Sequence, residues 1–404
     1  MQTGKPSIAL LFTTFPKTSE TFLQREVTAL QTHGLPLRLY SLWGGGGKFN
    51  GLRVEAFNKW ELVPLFLFII PWNFLRRPRL MRDLCEGVLT RPAPSWLNFW
   101  ENMLGAGFAG CFYWRMRRNP PALVHAAWAG APATAAWCLW RIFGWRYSVG
   151  AHAYDLYEHG GDWWLREKLA HAVFVQTSTE MGRATLLERG VPADRIHVIR
   201  RGLEQFPICK PLRTPRRPLR IVCVARLVPK KGLHRQLRIY AALRDAGVPF
   251  EVRVVGDGPL RTELELLAAQ LGLGQEVKLL GQRPSAEVWE HYAWADVLVH
   301  TGVVAESGDR DGLANVMPEA MAAGTLVVTT PTAASTEAVQ HERTGLVAEL
   351  NRPADWVNAL RRLATDDVLA EKLRRDARRW SEENYDAHKN TTRLAALFTE
   401  AMKR

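Results

Sequence analysis

"SIALLFTTFPKTSETFLQREVTALQTHGLPLRLYSLW", residues 7–43, reads as strand, loop, helix and strand in turn. Residues 7–13 are an apolar run bounded by a loop, as a strand buried on both faces would be. In the loop "FPKTSETF", Ser19 is placed to cap a helix that continues as "ETFLQREVTALQTHG" and stops at Gly34. "LRLYSLW" is the second strand. This alternation predicts a parallel sheet with helices on both faces. Further strands are expected at 122–127, 146–152, 171–177 and 196–202.

Residues 207–218, "PICKPLRTPRRP", are proline-rich, basic and without periodicity, and they read as a linker. A second alternating set follows. "LRIVCVARL", "FEVRVVGDG", "VKLLGQ", "DVLVHTG" and "TLVVTTP" are strands, and "LHRQLRIYAALRDAG", "PLRTELELLAAQLG" and "SAEVWEHYAWA" are helices between them. The expectation is therefore an α/β chain of two doubly wound domains facing across a cleft. In such sheets ligands bind beyond the carboxyl ends of the strands.

The 404 residues carry a net charge of +13, and the charge is uneven. The first 120 residues hold 15 Lys/Arg against 7 Asp/Glu, and 12 of the 16 tryptophans lie before residue 165. A basic, aromatic half suits a membrane surface, an anionic acceptor or nucleic acid, or a solvated face over an aromatic core. The five cysteines lack CxxC spacing and read as free thiols of a reducing cytoplasm. No charged stretch followed by an apolar one marks a signal peptide. "LVPLFLFIIPWNFL" (62–75) is too short and too broken by Pro64 and Pro71 to span a bilayer. With "RRPRLMR" (76–82) behind it, it fits an interfacial segment on anionic lipid, or a core segment between helices.

Five stretches, "FPKTSETFLQREVTALQTHG", "AHAYDLY", "VARLVPKKGL", "VVGDGPLRTELE" and "DGLANVMPEAMAAGTLVV", together resemble the retaining glycosyltransferases of family 4. The likeness is to bacterial exopolysaccharide enzymes of the colanic-acid type, and it implies the GT-B fold. The expected organisation is an acceptor-side domain at 1–205, a linker at 206–218, a nucleotide-sugar domain at 219–380, and a helix at 381–404 returning to the first domain.

The resemblance also implies roles. Arg226 and Lys231 sit at a strand end entering a helix, where two cations beside a helix N-terminus would neutralise a departing diphosphate without a metal. Lys230 is the weaker contact, since the family's lysine directly precedes the glycine, here Gly232. Gly256 and Asp257 line the donor site. Glu319 matches the family's glutamate that takes the ribose hydroxyls. Asp311 replaces the glutamate that meets the donor sugar, and Gly312 and Leu313 offer backbone N–H groups between them. Pro318 is tolerated only in a helix's first turn, so Asn315 is expected to cap and Glu319 to stand just beyond that turn. His152, at a strand end in "AHAYD", is expected to hydrogen-bond the sugar. Asp155 is expected either to orient His152 or to face the acceptor, and Ser19 and Glu20 are further acceptor-side candidates. His125 receives no role. Retention without a second carboxylate suggests front-face displacement through an oxocarbenium-like transition state.

The implied partners are a UDP- or GDP-sugar and a lipid-linked glycan, met by a cytoplasmic protein peripheral to the inner face of the plasma membrane. No cofactor or metal is implied. One rival reading takes "DRD" (309–311) as a metal-binding DxD, but that motif belongs early in a single-domain class and here lies three-quarters along the chain. Another is a catalytically silent GT-B module, since Ala225, Asp311 and Ala334 stand where relatives often carry Gly, Glu and Gly. A nucleic-acid binder is allowed by charge, but no recognition module is present.

Overall fold

The computed structural model describes residues 6–17, 20–214 and 216–403. The chain divides into two compact units. One ends at Gly202 and takes in the segment from Ala387; the other is Leu203–Asp386.

The first unit is built on eight strands: β1 (Ile8–Phe12), β2 (Leu37–Ser41), β3 (Gly47–Phe49), β4 (Leu52–Ala56), β5 (Leu123–Ala126), β6 (Tyr147–Gly150), β7 (Val175–Thr177) and β8 (Ile196–Val198). Their order is β3-β4-β2-β1-β5-β6-β7-β8, parallel throughout except for the β3–β4 hairpin. Side-chain alternation along β1 splits the core in two. Ala9 and Leu11 face the helices Trp96–Arg117 and Ala131–Phe143. Ile8, Leu10 and Phe12 face a cluster holding Leu23 and Leu30 of Thr21–Thr32 and Leu394 and Phe398 of the C-terminal helix Ala387–Lys403. That last helix thus belongs to the first unit, tied further by Arg146, which donates to the Ala401 carbonyl at 2.7 Å.

The second unit has β9 (Leu219–Val224), β10 (Phe250–Val255), β11 (Val277–Gly281), β12 (Val297–His300), β13 (Leu326–Thr329) and β14 (Leu346–Val347). They lie in the order β11-β10-β9-β12-β13-β14, all parallel. The strand order reverses between β9 and β12, the point where such sheets open a crevice for ligands.

The basic stretch after Gly202 has no regular secondary structure but is fastened to the second unit. Lys210 donates to the carbonyls of Tyr292 (3.1 Å), Ala293 (2.5 Å) and Ala295, the end of the helix Ser285–Trp294. Arg216 is buried and reaches Leu363 O at 2.6 Å and Asp367 at 2.7 Å. A segment that reads as a free tether is a strap, because its cations meet helix C-termini and acids far away in sequence.

Between β4 and β5 runs a helical insertion: Leu62–Pro64, a π-helical turn Leu65–Ile69, Ile70–Arg76, Pro78–Thr90 and Trp96–Arg117. Among the described residues, no helix is long and apolar enough to cross a membrane. The stretch expected at an interface is mostly exposed, with Phe66, Phe68 and Leu75 at 61%, 69% and 79%.

Candidate active site

In the second unit, the loops after β9 and β10 run side by side. Ala225 N donates to Val255 O and Leu227 N to Asp257 O, both at 3.0 Å. Gly256 makes this approach possible: its φ is +134°, and a Cβ there would stand 1.9 Å from the Ala225 carbonyl oxygen. The pairing presents Arg226 to solvent. Asp257 is exposed; its carboxylate accepts from Gly258 N at 2.8 Å and lies 3.6 Å from Arg261.

The chain then makes a short turn, Pro229–Lys231, and enters the helix Leu233–Asp245 through Gly232, whose φ is +64°. The loop after β12 holds this turn in place. Val303 N donates to Lys230 O (2.9 Å) and Thr301 Oγ1 to Lys231 O (3.0 Å). Both lysines are largely buried, and each meets an acid of the D-R-D triplet. Lys230 Nζ lies 2.9 Å from Asp309, and Lys231 Nζ lies 2.6 Å from Asp311. Lys230 also stands 3.7 Å from Asp311. Lys230, which sequence reasoning set aside, therefore belongs to the cluster.

His300, at the end of β12, is a residue the sequence reading passed over. Its Nδ1 meets Thr329 Oγ1 at 3.2 Å, and its Nε2 lies 3.6 Å from Asp311 Oδ2. That is too long for a hydrogen bond, so the two interact through charge and dipole. The signal that drew attention to His152, a histidine closing a strand at the crevice edge, was equally present here. Burial pushes the Asp311 carboxyl upward, but Lys231, His300 and Lys230 overcome it and hold the group far below the usual carboxylate range. Burial keeps the His300 ring neutral, opposing the pull of Asp311.

Glu319 is the fourth residue of the helix Val316–Ala323, and Pro318 sits harmlessly in its first turn. Glu319 N donates to Asn315 O at 3.0 Å, and Glu319 Oε2 accepts from Tyr292 OH at 3.2 Å. Asn315 holds the cap position in αR conformation with no side-chain cap bond, so the expected side-chain cap is absent there. Gly312 lies in the bend before the helix, and the Leu313 side chain packs on the core.

In the first unit, His152 follows β6 and is buried. Its ring stands edge-on to Trp128, with centroids 5.6 Å apart, and its Nδ1 has no hydrogen-bond partner among the described residues. Burial, then Arg201 and His125, hold its pKa well below the ordinary value, so the ring is neutral. Of the two roles expected for Asp155, its geometry agrees with orienting His152. Asp155 is fully buried, and its carboxylate accepts from the backbone N–H groups of Ala153 (2.8 Å), Ala129 (3.0 Å) and His152 (3.1 Å). It is a staple for the His152 loop. His125 is engaged with Ser148 (2.9 Å), and burial brings its pKa down to about 3. Glu20 precedes the helix Thr21–Thr32 and pairs with Lys17 at 2.8 Å. Ser19 lies outside the described residues.

A cluster of polar side chains beside this loop was also missed. A Cβ on Gly130 would lie 3.3 Å from Asp162 Oδ2, 3.7 Å from Tyr154 OH and 3.9 Å from Glu101 Oε2. Asp162 is paired with the buried Lys168 at 2.5 Å. Burial, and then the Asp162 charge, raise Glu101 to about 7. A single acid in the aromatic run "WLNFWENM" was the available signal.

Two family models match the chain in tandem: a glycosyl transferase 4-like domain over residues 20–202 and the domain of glycosyl transferases group 1 over residues 207–380. The chain belongs to this two-domain, GT-B family of glycosyltransferases. The putative colanic acid biosynthesis glycosyltransferase WcaL of Escherichia coli K12 is 32% identical over 223 residues, 54% of this chain and 54% of that one. The amylovoran biosynthesis glycosyltransferase AmsK of Erwinia amylovora is 29% identical over 350 residues, covering 83% and 84%. Among solved structures, Anabaena HepE in complex with UDP has a TM-score of 0.70 at 18% identity, covering 98% and 100%, a likeness of fold.

Proposed function

We propose that the protein is a retaining glycosyltransferase that transfers a hexose from a UDP- or GDP-sugar to a lipid-linked acceptor in bacterial surface-polysaccharide synthesis. The observation that carries this reading is the meeting of Lys230, Lys231 and Asp311 in the loops after β9 and β12, at the sheet's switch point, with Arg226 in the same loop after β9 and Glu319 in the helix that follows β12. The naming of AmsK and WcaL for exopolysaccharide synthesis supports the pathway class, and the UDP held by HepE supports a nucleotide donor.

In this reading, Arg226, Lys231 and the N-terminus of Leu233–Asp245 meet the donor diphosphate, and their positive charge does what a metal would do elsewhere. Gly256 and Asp257 line the donor, Glu319 takes the ribose hydroxyls, and Gly312 and Leu313 offer backbone N–H groups. Asp311 holds Lys231 and meets the donor sugar beside it. The bond from the anomeric carbon to the phosphate oxygen breaks as the acceptor oxygen attacks from the same face. The acceptor proton passes to the departing phosphate. His152, neutral and with an open nitrogen, offers a hydrogen bond to a sugar hydroxyl. Glu20, with Ser19, remains an acceptor-side candidate. The exposed apolar and basic insertion after β4 supports a peripheral seat on anionic membrane at the cytoplasmic face.

A thermal-shift screen of nucleotide sugars, followed by turnover with and without lipid-linked acceptor, tests the proposal. Stabilisation by nucleoside diphosphate with no sugar transfer or donor hydrolysis from any donor would make the protein a silent binding module instead.

A further inference from the structure

The insertion after β4 encloses an open groove of about 570 Å³, inside the range of about 300–1,000 Å³ typical of ligand cavities. Leu65, Ile69, Leu84, Met103, Ala106 and Cys138 are among its walls. Asn73 is the one amide in the lining, and it is already engaged: Nδ2 donates to Ile69 O (2.7 Å), and Oδ1 accepts from Arg77 (2.9 Å). A peptide strand laid here would leave its backbone N–H groups without partners, which is costly; a hydrocarbon chain has none to satisfy. The rim continues the apolar surface, with Phe66 and Trp100 more than half exposed and Phe74 nearly half, a contiguous patch rather than scattered surface residues.

Charge complements this. Residues 76–91 carry Arg76, Arg77, Arg79, Arg82 and Arg91 against Asp83 and Glu86; Asp83 is taken by Arg141 and Arg91 by Glu167. Arg77 touches the lining itself through Asn73, and Arg76 lies 4.8 Å over Trp72. The helix Trp96–Arg117 joins the groove to the polar cluster beside the His152 loop. Trp100, Met103 and Ala106 face the groove, while Asn98 and Asn102 hold Asp162 in the cluster, both at 3.0 Å.

We propose that the groove seats the hydrocarbon chain of the acceptor lipid, with its phosphate met by Arg76 and Arg77. This rests on the reading of a lipid-linked acceptor given above. The two faces of one helix then serve one substrate, its chain on one side and its sugar-bearing end toward the polar cluster.

Calorimetry of the full chain with monoalkyl phosphates of about 4, 8 and 12 carbons, each below its micelle concentration, tests the assignment. Affinity should rise roughly fourfold per methylene until the groove is full. Dodecyl maltoside, of equal chain length but uncharged, should bind at least about tenfold more weakly. Ala106→Phe, which fills the groove, should abolish the chain-length dependence. Should Ala106→Phe fail to fold, Arg77→Gln should keep that dependence and lose the preference for phosphate. Phe68→Ser with Leu75→Ser, on the exposed surface, should lose sedimentation with phosphatidylglycerol vesicles yet bind dodecyl phosphate as before. Affinity that ignores chain length, or dodecyl phosphate binding unchanged in Ala106→Phe, overturns the proposal. So does occupation by a second copy of the chain, seen as a concentration-dependent dimer that dodecyl phosphate does not disperse. If dodecyl phosphate binds in the groove but lipid acceptors of about 8 and 12 carbons have equal KM, the groove holds bulk membrane lipid and the acceptor assignment falls. The titration needs no turnover, so its failure and a failure to transfer sugar are read separately.

Discussion

Asp311→Asn removes one charge from a cluster in which Lys230 and Lys231 have side-chain exposures of 8% and 12%. Breaking a buried ion pair by removing one partner costs about 3–5 kcal/mol, because the other charge is left desolvated. Here Lys230 keeps Asp309 at 2.9 Å, so the lower end, about 3 kcal/mol, applies. For a domain of this size that is a fall in melting temperature of about 6–12 °C. The pH dependence has a definite sign. The Asp311 carboxyl is depressed in the fold, so its contribution is present above the unfolded value, about 3.9, and is lost as pH falls below it. The gap between wild type and variant should therefore close below about pH 4. Lys231→Met in the same chain removes the stranded cation and should restore more than half of the lost stability, a coupling that a double-mutant cycle measures. Nucleoside diphosphate affinity should be held or raised in Asp311→Asn, since Lys231 is no longer neutralised, while turnover falls. Calorimetry and thermal melts decide it. A variant that melts within about 2 °C of wild type, or that loses nucleotide as severely as a Glu319 variant, refutes the division of labour between the two acids.

Arg226→Ala and Lys231→Ala should each lower turnover by at least about 100-fold, measured as sugar transfer; near-normal rates in both would remove them from the diphosphate site. Glu319→Gln should weaken nucleoside diphosphate and nucleotide sugar alike, by about 1.5–3 kcal/mol, read by calorimetry. Because burial keeps His152 neutral, the pH–rate profile should show no histidine ionisation step between about pH 6 and 7 that His152→Gln removes. Glu101 is raised to about 7, so its favourable contribution is present below the unfolded value of about 4.3 and lost as pH rises through 7; Glu101→Gln should then be the more stable protein at pH 8, by a melt.

How far the sequence could be read depended on whether the deciding contacts were local. The segment from β1 to β2 was legible because its strands are buried on both faces and its helix is amphipathic, so run length and periodicity both register there. The helix Trp96–Arg117 gave no such signal. It packs on the sheet cluster through Phe108 and Phe112, walls the groove with Met103 and Ala106, and exposes Trp96 and Trp114. Apolar residues on every side erase the 3.6-residue stripe, and the groove and the polar cluster around Glu101 stayed hidden with it. The β3–β4 hairpin was lost in a glycine-rich stretch, where Gly44, Gly45, Gly46 and Gly47 all adopt positive φ.

The site shows the same division. "AHAYD" marked a strand end, and His152 does follow β6, but spacing alone could not say that Asp155 turns inward to three amides. The D-R-D triplet is the sharper case. Read locally, two acids around an arginine are a metal site or a donor contact, and nothing within ten residues chooses between them. The structure adds a lysine pair about 80 residues upstream, brought in by the parallel pairing of β9 with β12. Lys230 and Lys231 give each carboxylate a cation, so the triplet is the electrostatic mate of the turn after β9. In the proposed function, Asp311 tunes how much positive charge Lys231 offers a diphosphate. A shorter acid in the place of the family's usual glutamate shifts that balance, even without any change in what the donor sugar touches.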